Sequence, residues 1–447
     1  MEVREAKVED YLKLWDLIKV VKKVTPYVKY GKVVRVVGNL IEVEGLNCAL
    51  GELCSVYLDD GSSDVIVGEV VGFQNKRMKL SPLSPLRGIR PGCLVRRYES
   101  SHTFAVSDGL IGRVLDAMGQ PLDGRGPIPA DGVPYPLKGT SVNPLTRPLI
   151  RHQLDVGIRA INGLLPIGKG QRVGIFAGSG VGKSTLLGMM ARYTSADVNV
   201  IALIGERGRE VREFIERELG EDGMKHSVVI VATSDQPATL RMRGAYLACA
   251  VAEYFRDRGM DVLLMMDSIT RFAMAAREVG LAAGEPPTSK GYTPSVFSAL
   301  PELLERAGNF ETGSITGLYT VLVEGDDLDD PIADTVRSIL DGHIVLDRNL
   351  AQNRHYPAID VLKSVSRLTD QLLDEEHKQL AKRFIEVLAQ YRRNEDMIRI
   401  GAYVKGTNPE TDYAINMIDK LNAYLRQPIE ERCTIEEARA MLKALFE

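Results

Sequence analysis

The sequence has 447 residues, of which 45% are hydrophobic and 26% charged, and its formal net charge is −4. This length exceeds one ordinary domain, so we expect two or three. The charge shows no global basic excess that would indicate a nucleic-acid partner, and no apolar run approaches the ~18 residues that span a bilayer. The five cysteines have the wrong spacing for a disulfide framework or a zinc site, and the charged start of the chain is unlike a signal peptide. We therefore expect a cytoplasmic protein.

The first thirty residues carry apolar side chains at three- and four-residue steps, which places them on one face of a helix. Trp15, the only tryptophan of the chain, lies on this face. Such a face packs on its own domain or docks a partner. The position of Trp15 near a terminus favours a partner-docking helix over residues 1–30.

Short β-rich runs begin at Gly31 and are separated by Gly-Asn, Glu-Gly and Asp-Asp-Gly turn signals. Short strands at this spacing predict a small β-barrel or sandwich over residues 31–92. The proline-containing stretch of residues 81–88 near the end of this region has the composition of a linker.

Between residues 93 and 370, short apolar runs alternate with amphipathic helical segments. This alternation predicts an α/β domain with a parallel sheet covered by helices on both faces. The predicted strands include residues 173–177, 198–204, 228–231, 262–266 and 319–323. Strand signals stop after Leu368, so residues 371–447 are predicted to form a C-terminal helical bundle.

The loop after the first of these strands matches the P-loop pattern, although it begins with Ala177 where the strict form has Gly. Its glycines allow backbone N–H groups to surround phosphate oxygens, and the helix that opens at Gly182 adds its N-terminal partial positive charge. Lys183 is placed to reach the β- and γ-phosphates, and the Ser184 hydroxyl to bind Mg²⁺. The sequence therefore predicts a P-loop NTPase that uses ATP. The predicted loop contains Ala177, Gly178, Ser179, Gly180, Val181, Gly182, Lys183 and Ser184.

Two other predicted strands end near carboxylates. Asp267 follows an apolar strand, where a buried carboxylate is costly unless a cation or hydrogen bonds compensate it, so we assign it to Mg²⁺, directly or through water, as the Walker B acid. A helix N-cap is the other reading of Asp267. Glu206 is predicted to orient and polarise the lytic water, and Arg207 to steer the water or the phosphate, with Glu210 a weaker candidate. By pattern alone these charges also fit a solvated helix face.

Several long motifs resemble those of the catalytic subunits of rotary ATPases, and within that superfamily the likeness is greatest to the flagellar and type III secretion export ATPases. These motifs are residues 178–185, 205–211, 267–271, 313–327 and 357–367. The likeness extends from about residue 25 to the end of the chain. It implies a RecA-like nucleotide-binding core between an N-terminal β-barrel and C-terminal helices.

The resemblance also implies roles for single residues. Thr185 joins the nucleotide-binding loop, and Tyr356 matches the position whose ring stacks on adenine. Arg367, which by pattern alone would be a surface arginine, matches the arginine finger, a group that contributes ~10³–10⁵ in rate in related systems. In this family the finger reaches a neighbour's nucleotide, so the implied active unit is a homohexameric ring.

The sequence departs from the rotary β subunit at two places. That subunit has a strongly acidic loop facing the central shaft, whereas residues 401–410 here carry no such run, which implies a different stalk partner. No second aromatic residue for an adenine pocket lies near Cys433, so phosphate binding is better supported than adenine selectivity.

The family likeness implies an ATPase of a flagellar or type III protein export apparatus, in which the ring releases chaperones from export substrates and promotes translocation. The implied partners are other copies of the chain, a stator-like regulator on the N-terminal helix, a central stalk protein in the pore, an export gate at the membrane and chaperone-bound substrates. The implied location is the cytoplasm, with peripheral association to the inner-membrane export apparatus.

Three other functions fit the sequence less well. A noncatalytic rotary α subunit is disfavoured because that subunit has Gln where this chain has Glu206. A synthase-type β subunit is disfavoured by the neutral shaft loop and by the short barrel that follows a charged helix. A Rho-like translocase needs a base-stacking N-terminal domain, yet residues 31–90 have only Tyr57 and Phe73 as aromatics, so we expect no nucleic-acid partner.

Overall fold

The computed structural model describes residues 28–58, 65–98, 103–129, 132–139, 142–323 and 330–447. The chain divides into two compact units, Met1–Ser101 and His102–Glu447. The predicted N-terminal helix and its Trp15 lie outside the described residues.

Within the described part of the first unit, six strands form a closed antiparallel barrel, and the predicted N-terminal β-barrel is confirmed. The strands are β1 (Gly31–Val37), β2 (Leu40–Glu44), β3 (Leu53–Tyr57), β4 (Val65–Gln74), β5 (Arg77–Pro82) and β6 (Leu94–Arg97). Their order is β1-β2-β5-β4-β3-β6, and β1 closes the barrel by pairing with β6. Alternate side chains face inward, so Ile41, Leu80 and Val95 are fully buried in the barrel core.

The predicted barrel boundary at residue 92 is wrong, because β6 pairs with both β1 and β3 and the barrel extends to Arg97. The stretch predicted as a linker, residues 81–88, is also part of the barrel. It begins with the last residues of β5, and Leu83 is buried. The prolines and glycines here form the connection between two strands of one domain.

Within the described part of the second unit, a nine-stranded sheet has the order β17-β16-β10-β15-β13-β11-β12-β8, with β14 beside β15. The strands are β8 (Val114–Asp116), β10 (Arg172–Ala177), β11 (Val198–Ile204), β12 (Ser227–Ala232), β13 (Asp261–Asp267), β14 (Gly308–Asn309), β15 (Ser314–Leu322), β16 (Gly342–Leu346) and β17 (Val365–Ser366). All pairs are parallel except those of β14 and β17. A separate antiparallel pair consists of β7 (Thr103–Val106) and β9 (Val133–Pro136).

Helices surround this sheet, as the alternating pattern predicted. They are α1 (Arg159–Leu164), α2 (Lys183–Tyr193), α3 (Gly208–Glu213), α4 (Gly220–Met224), α5 (Ala238–Asp257), α6 (Ile269–Ala283), α7 (Pro294–Leu304), α8 (Pro331–Ile339) and α9 (Arg348–Gln352). Along β11, Ile201 and Leu203 join the core cluster that includes Leu187 of α2, whereas Val200 and Ala202 project to the opposite face. The parallel-sheet prediction is confirmed.

The C-terminal part is helical, as predicted, and the predicted start at residue 371 falls inside its first helix. The helices are α10 (Thr369–Leu372), α11 (Glu375–Arg399), α12 (Pro409–Leu425) and α13 (Ile435–Ala444). Phe384 and Tyr424 pack together and belong to the same core cluster as the sheet. The buried Arg159 of α1 donates to carbonyls at the end of α12 and pairs with Glu431, so these helices are fixed to the nucleotide-binding core.

The helix caps in this part of the chain are formed by residue types that favour these positions. The Asn408 side chain accepts hydrogen bonds from the backbone N–H groups at the start of α12, and Pro409 occupies the first helical position. Thr434 and Glu437 form a reciprocal capping box at the start of α13. Over the described segments, no helix has both the length and the apolar character needed to cross a membrane.

Candidate active site

The P-loop connects the carboxyl end of β10 to the start of α2. Gly180 and Gly182 have φ angles of 77° and 89°, a left-handed conformation that residues with a Cβ rarely adopt. Ser179 and Gly180 are exposed, whereas Val181 is buried and holds the loop against the core. The loop therefore presents backbone N–H groups and the N-terminus of α2 to one open site, an arrangement suited to phosphate oxygens.

The candidate carboxylates reach this site because neighbouring parallel strands end at the same edge of the sheet. Asp267 is the last residue of β13, and Glu206 follows β11 by two residues. Strand β13 lies between β11 and β15, and β15 pairs with the P-loop strand β10. The topology thus brings two carboxylates and Lys183 to one place.

Lys183 lies between the two carboxylates. Its Nζ is 2.5 Å from Oδ1 of Asp267 and 3.9 Å from Oε1 of Glu206. The Asp267 side chain is 5% exposed, and the Lys183 cation compensates its buried charge. The alternative reading of Asp267 as an N-cap is wrong, since Ser268 caps α6 by accepting from the Arg271 N–H.

Glu206 has the electrostatics of a proton acceptor near neutral pH. Burial and the neighbouring Asp267 carboxylate raise its pKa to about 7, against the opposing effect of Lys183. Its Oε1 is buried without a hydrogen-bond partner among the described residues. The pKa of Glu210 is lowered despite burial, by a hydrogen bond with Glu206 and the charge of Arg207. A carboxyl poised near pH 7 and one unsatisfied oxygen suit the binding of a water molecule.

A cavity of about 1010 Å³ opens over the P-loop. Its walls include Lys183, Ser184, Glu206, Arg207 and Glu210. Arg207 lines the cavity with a largely exposed side chain that pairs with Glu210 at 3.0 Å. The alternative of a solvated helix face therefore fits the exposed Arg207 in part, whereas the partly buried Glu206 belongs to the cavity.

The wall of this cavity includes neither Tyr356 nor Arg367, and the two residues differ in their distance from the P-loop. The Tyr356 ring packs against the P-loop, since a Cβ built on Gly182 would lie 3.4 Å from a ring carbon, and the side chain remains partly exposed. Arg367 is absent from the cavity wall. Its backbone N–H donates to Asp341, whose own N–H donates to Arg172 at the amino end of β10. The six residues of β10 separate this point from the P-loop by about 20 Å.

Two residues of the site carry signals that the sequence reasoning did not assign. Arg271 belongs to the motif of residues 267–271, lines the cavity and packs against Gly205, and its Nε is buried with no hydrogen-bond partner in the described part of the chain. Thr320 donates a hydrogen bond to Oδ1 of Asp267 at 2.7 Å. Nothing in the pattern of a buried strand marks Thr320, because its relevance depends on the neighbouring strand.

The donors in the cavity suit a hard divalent cation. They are the Ser184 hydroxyl and the Glu206 carboxylate, which line the cavity, and the Asp267 carboxylate, which lies beside the cavity residue Lys183; Oε1 of Glu206 has no hydrogen-bond partner among the described residues. Over the described residues, no three His, Cys, Asp or Glu side chains group closely enough to hold a metal by themselves. Mg²⁺ commonly binds through one or two carboxylates, waters and substrate phosphates, so the residues fit that ion.

The fold and the site together define a P-loop nucleotide hydrolase with a parallel-sheet core. Three family models match the chain. The beta-barrel domain of the ATP synthase alpha/beta family matches residues 33–99, its nucleotide-binding domain matches residues 157–366, and the T3SS EscN ATPase C-terminal domain matches residues 373–444.

Relatives and solved structures agree with these matches. The flagellum-specific ATP synthase of Bacillus subtilis is 53% identical over 434 residues, covering 97% of this chain and 99% of the relative. The type 3 secretion system ATPase of Xanthomonas euvesicatoria is 49% identical over 417 residues, covering 93% and 94%. The structure of the assembled ATPase EscN from the type III secretion system of enteropathogenic E. coli is 43% identical and has a TM-score of 0.87, covering 93% of this chain and 99% of that one.

The chain belongs to the ATP synthase alpha/beta family, and within it to the flagellar and type III secretion ATPases. It is an ATPase, and the prediction of ATP as the substrate is confirmed.

Proposed function

We propose that the chain hydrolyses ATP in a homohexameric ring to drive protein export through a flagellar or type III apparatus, by releasing chaperones from export substrates and promoting translocation. The observation that carries this proposal is the cluster of Lys183, Glu206 and Asp267 at the P-loop, in which Lys183 and Glu206 line the cavity and Asp267 is buried beside Lys183. The names of the relatives support the export context.

In the proposed mechanism, Lys183 leaves Asp267 and binds β- and γ-phosphate oxygens, while the backbone N–H groups of the P-loop surround the phosphates. Mg²⁺, held by Ser184 and by Asp267 directly or through water, would neutralise phosphate charge. Glu206 accepts a hydrogen bond from the attacking water and orients it, since its carboxylate is adjacent to the phosphate site. Arg207, at the cavity wall, steers the water or the phosphate. Tyr356, packed against the P-loop, stacks on adenine.

Arg367 acts on the nucleotide of a neighbouring chain in this proposal. The support is its position at the amino edge of the sheet, about 20 Å from its own P-loop along β10. An arginine side chain cannot cover this distance within its own chain. The EscN relative is described as assembled, which supports a ring of identical chains here.

The connection between α11 and α12 is the proposed contact with a central stalk. Ile400 and Val404 are 75% and 70% exposed in this stretch, and Met397 is nearly half exposed. Exposed apolar side chains of this size mark an interaction surface. A second EscN structure, with a TM-score of 0.85, contains its central stalk EscO. A stalk protein that differs from the rotary γ subunit fits the lack of an acidic run in residues 401–410.

The remaining partners are proposed because the chain belongs to this family. We place a stator-like regulator on the N-terminal segment, an export gate at the membrane and chaperone-bound substrates in the same pathway. The chain acts in the cytoplasm and associates peripherally with the inner-membrane apparatus. The proposed function involves no nucleic-acid partner.

Complementation tests the function. In a Bacillus subtilis strain that lacks its flagellum-specific relative, the wild-type chain is expected to restore swimming and flagellin secretion. Glu206→Gln is expected to restore neither, while Glu213→Gln, an exposed change on α3 beyond the cavity wall, serves as the matched control. Secretion restored equally by Glu206→Gln would contradict the proposal. If single-stranded RNA stimulates ATP hydrolysis by the purified chain, a translocase would be favoured instead.

A further inference from the structure

Thr320 is a buried hydroxyl next to the Walker B carboxylate. Its side chain is fully buried, and Oγ1 donates a hydrogen bond to Oδ1 of Asp267 at 2.7 Å. The same Oδ1 accepts the Lys183 ammonium at 2.5 Å. One carboxylate oxygen thus has two donors, a cation and a hydroxyl.

The sheet topology places Thr320 at this position. Strand β15 lies between β10 and β13, and its ladder with β13 ends at the pair of Met266 with Tyr319. Asp267 and Thr320 are the next residue on each strand. The hydroxyl therefore extends from a rigid central strand, and its direction does not depend on a loop.

The Thr320 proton has one strong acceptor. Oγ1 lies 3.3 Å from the Met266 carbonyl oxygen and 2.7 Å from the Asp267 carboxylate. A hydroxyl has a single proton, and a charged acceptor at the shorter distance forms the stronger bond. The proton is therefore committed to Asp267.

We infer that Thr320 is a positioning residue that fixes the Asp267 carboxylate when Lys183 moves to the phosphates. This inference rests on the Mg²⁺ site of the proposed function. Lys183 cannot hold Asp267 and the phosphates at the same time with full strength. The Thr320 hydroxyl remains on Oδ1, so the carboxylate keeps its orientation and its charge stays compensated on that side.

The test compares Thr320→Val, which removes the hydroxyl but keeps the branched shape, with Thr320→Ser, which keeps the hydroxyl. Binding of a fluorescent ADP analogue to the full-length chain is measured with Mg²⁺ and with EDTA, beside kcat. For Thr320→Val we expect Mg²⁺-dependent affinity and kcat to fall roughly 10- to 100-fold, the usual cost of losing a group that orients a metal ligand. Affinity in EDTA is expected to stay unchanged, and Thr320→Ser is expected to recover most of both losses.

Thr316→Val is the matched control. Thr316 lies four residues earlier on the same strand, is 1% exposed, and its hydroxyl accepts from the Gly170 N–H at 2.9 Å, away from the cavity wall. This variant is expected to unfold at a lower temperature and to keep the wild-type response to Mg²⁺. If Thr320→Val does not fold, Thr320→Ala, measured below the midpoint of its thermal unfolding, is expected to show the same Mg²⁺-selective loss.

Two results would overturn the inference. The first is a Thr320→Val variant with wild-type Mg²⁺-dependent affinity and kcat. The second is a loss that is equal in Mg²⁺ and EDTA or that Thr320→Ser does not recover, because either result indicates a structural role alone. A wild-type chain whose nucleotide affinity and turnover are both independent of Mg²⁺ would instead refute the proposed metal site, and the inference with it.

Discussion

Two charged regions of the nucleotide-binding unit differ in what surrounds them. At the carboxyl edge of the sheet, Asp267 is buried, Lys183 and Glu206 are largely shielded from solvent, and Lys183 pairs with both carboxylates. At the amino edge, Arg367 is exposed, and the described residues give its guanidinium only a long hydrogen bond of 3.4 Å to the Arg337 carbonyl oxygen. In the proposed function, the first region binds the triphosphate within one chain. The second has an unused charge, which is what a group that acts on a neighbouring molecule requires.

The largest expected effect comes from the exposed region. Arg367→Ala is expected to lower kcat by about 10³-fold or more and to leave ATP binding nearly unchanged, because an arginine finger acts mainly on the transition state. Steady-state turnover and equilibrium binding measure the two quantities. Arg337→Ala, which removes a partly buried side chain paired with Asp334, is the control and should stay near wild type.

Mixing two inactive variants sharpens the same comparison. A Lys183→Ala chain supplies the finger and an Arg367→Ala chain supplies the P-loop, so a mixed ring contains some complete interfaces, roughly a quarter for random assembly of a head-to-tail ring. The mixture should therefore hydrolyse ATP faster than either variant alone. A mixture no faster than its components would mean that both residues act within one chain.

The buried region is tested by Glu206→Gln. This change keeps the shape of the side chain and removes its ability to accept a proton, so kcat is expected to fall by about 10²–10⁴-fold while ATP still binds. Single-turnover hydrolysis and a binding titration separate the two steps. Wild-type turnover in this variant would assign water activation to another carboxylate, with Glu210 the first to test.

The raised pKa of Glu206 gives the buried region a pH dependence. The carboxylate is the active form and its pKa is about 7, so activity is lost as the pH falls through that value. We expect kcat/KM, which reports on the free enzyme, to fall about tenfold for each unit below pH 7 and to level off above it. The inflection should be absent in Glu206→Gln. A wild-type profile that is flat from pH 5 to 8 would contradict the role of this carboxyl.

The smallest expected effect is on adenine binding. Tyr356 packs against Gly182 with about half of its side chain exposed, so a base stacked on it is only partly enclosed. Loss of stacking costs about 1–3 kcal/mol per base, and we expect Tyr356→Ala to raise KM for ATP roughly tenfold. Tyr356→Phe should preserve KM because it retains the ring. If Tyr356→Ala leaves KM unchanged, adenine binds elsewhere.

Much of the site could be predicted because parallel strands end at a common edge. The apolar runs before Asp267 and Glu206 predicted strands, and their adjacency in the sheet followed from the fold class. The glycines of the P-loop marked the turn directly. These signals are local in sequence, because each arises from the residues of a single segment.

The rest depended on contacts between distant segments. Strand β6 contains two arginines and follows a Pro-Gly pair, so its local pattern resembles a loop, and only its pairing with β1 and β3 makes it a strand. The relevance of Thr320 follows from the register between β13 and β15, which places its hydroxyl beside Asp267. The position of Arg367 at the edge opposite the P-loop likewise follows from the antiparallel pairing of β17 with β16.

The strand edges of the two units have a consequence for a protein proposed to handle unfolded chains. An unfolded polypeptide can add itself to any long exposed edge strand through main-chain hydrogen bonds. The closed barrel offers no edge among its described strands, the central sheet ends in β8 and β17, of three and two residues, and the separate pair of β7 and β9 has four residues in each strand. Such short edges give a passing substrate little backbone to pair with, so the architecture protects the enzyme from being captured by its own cargo.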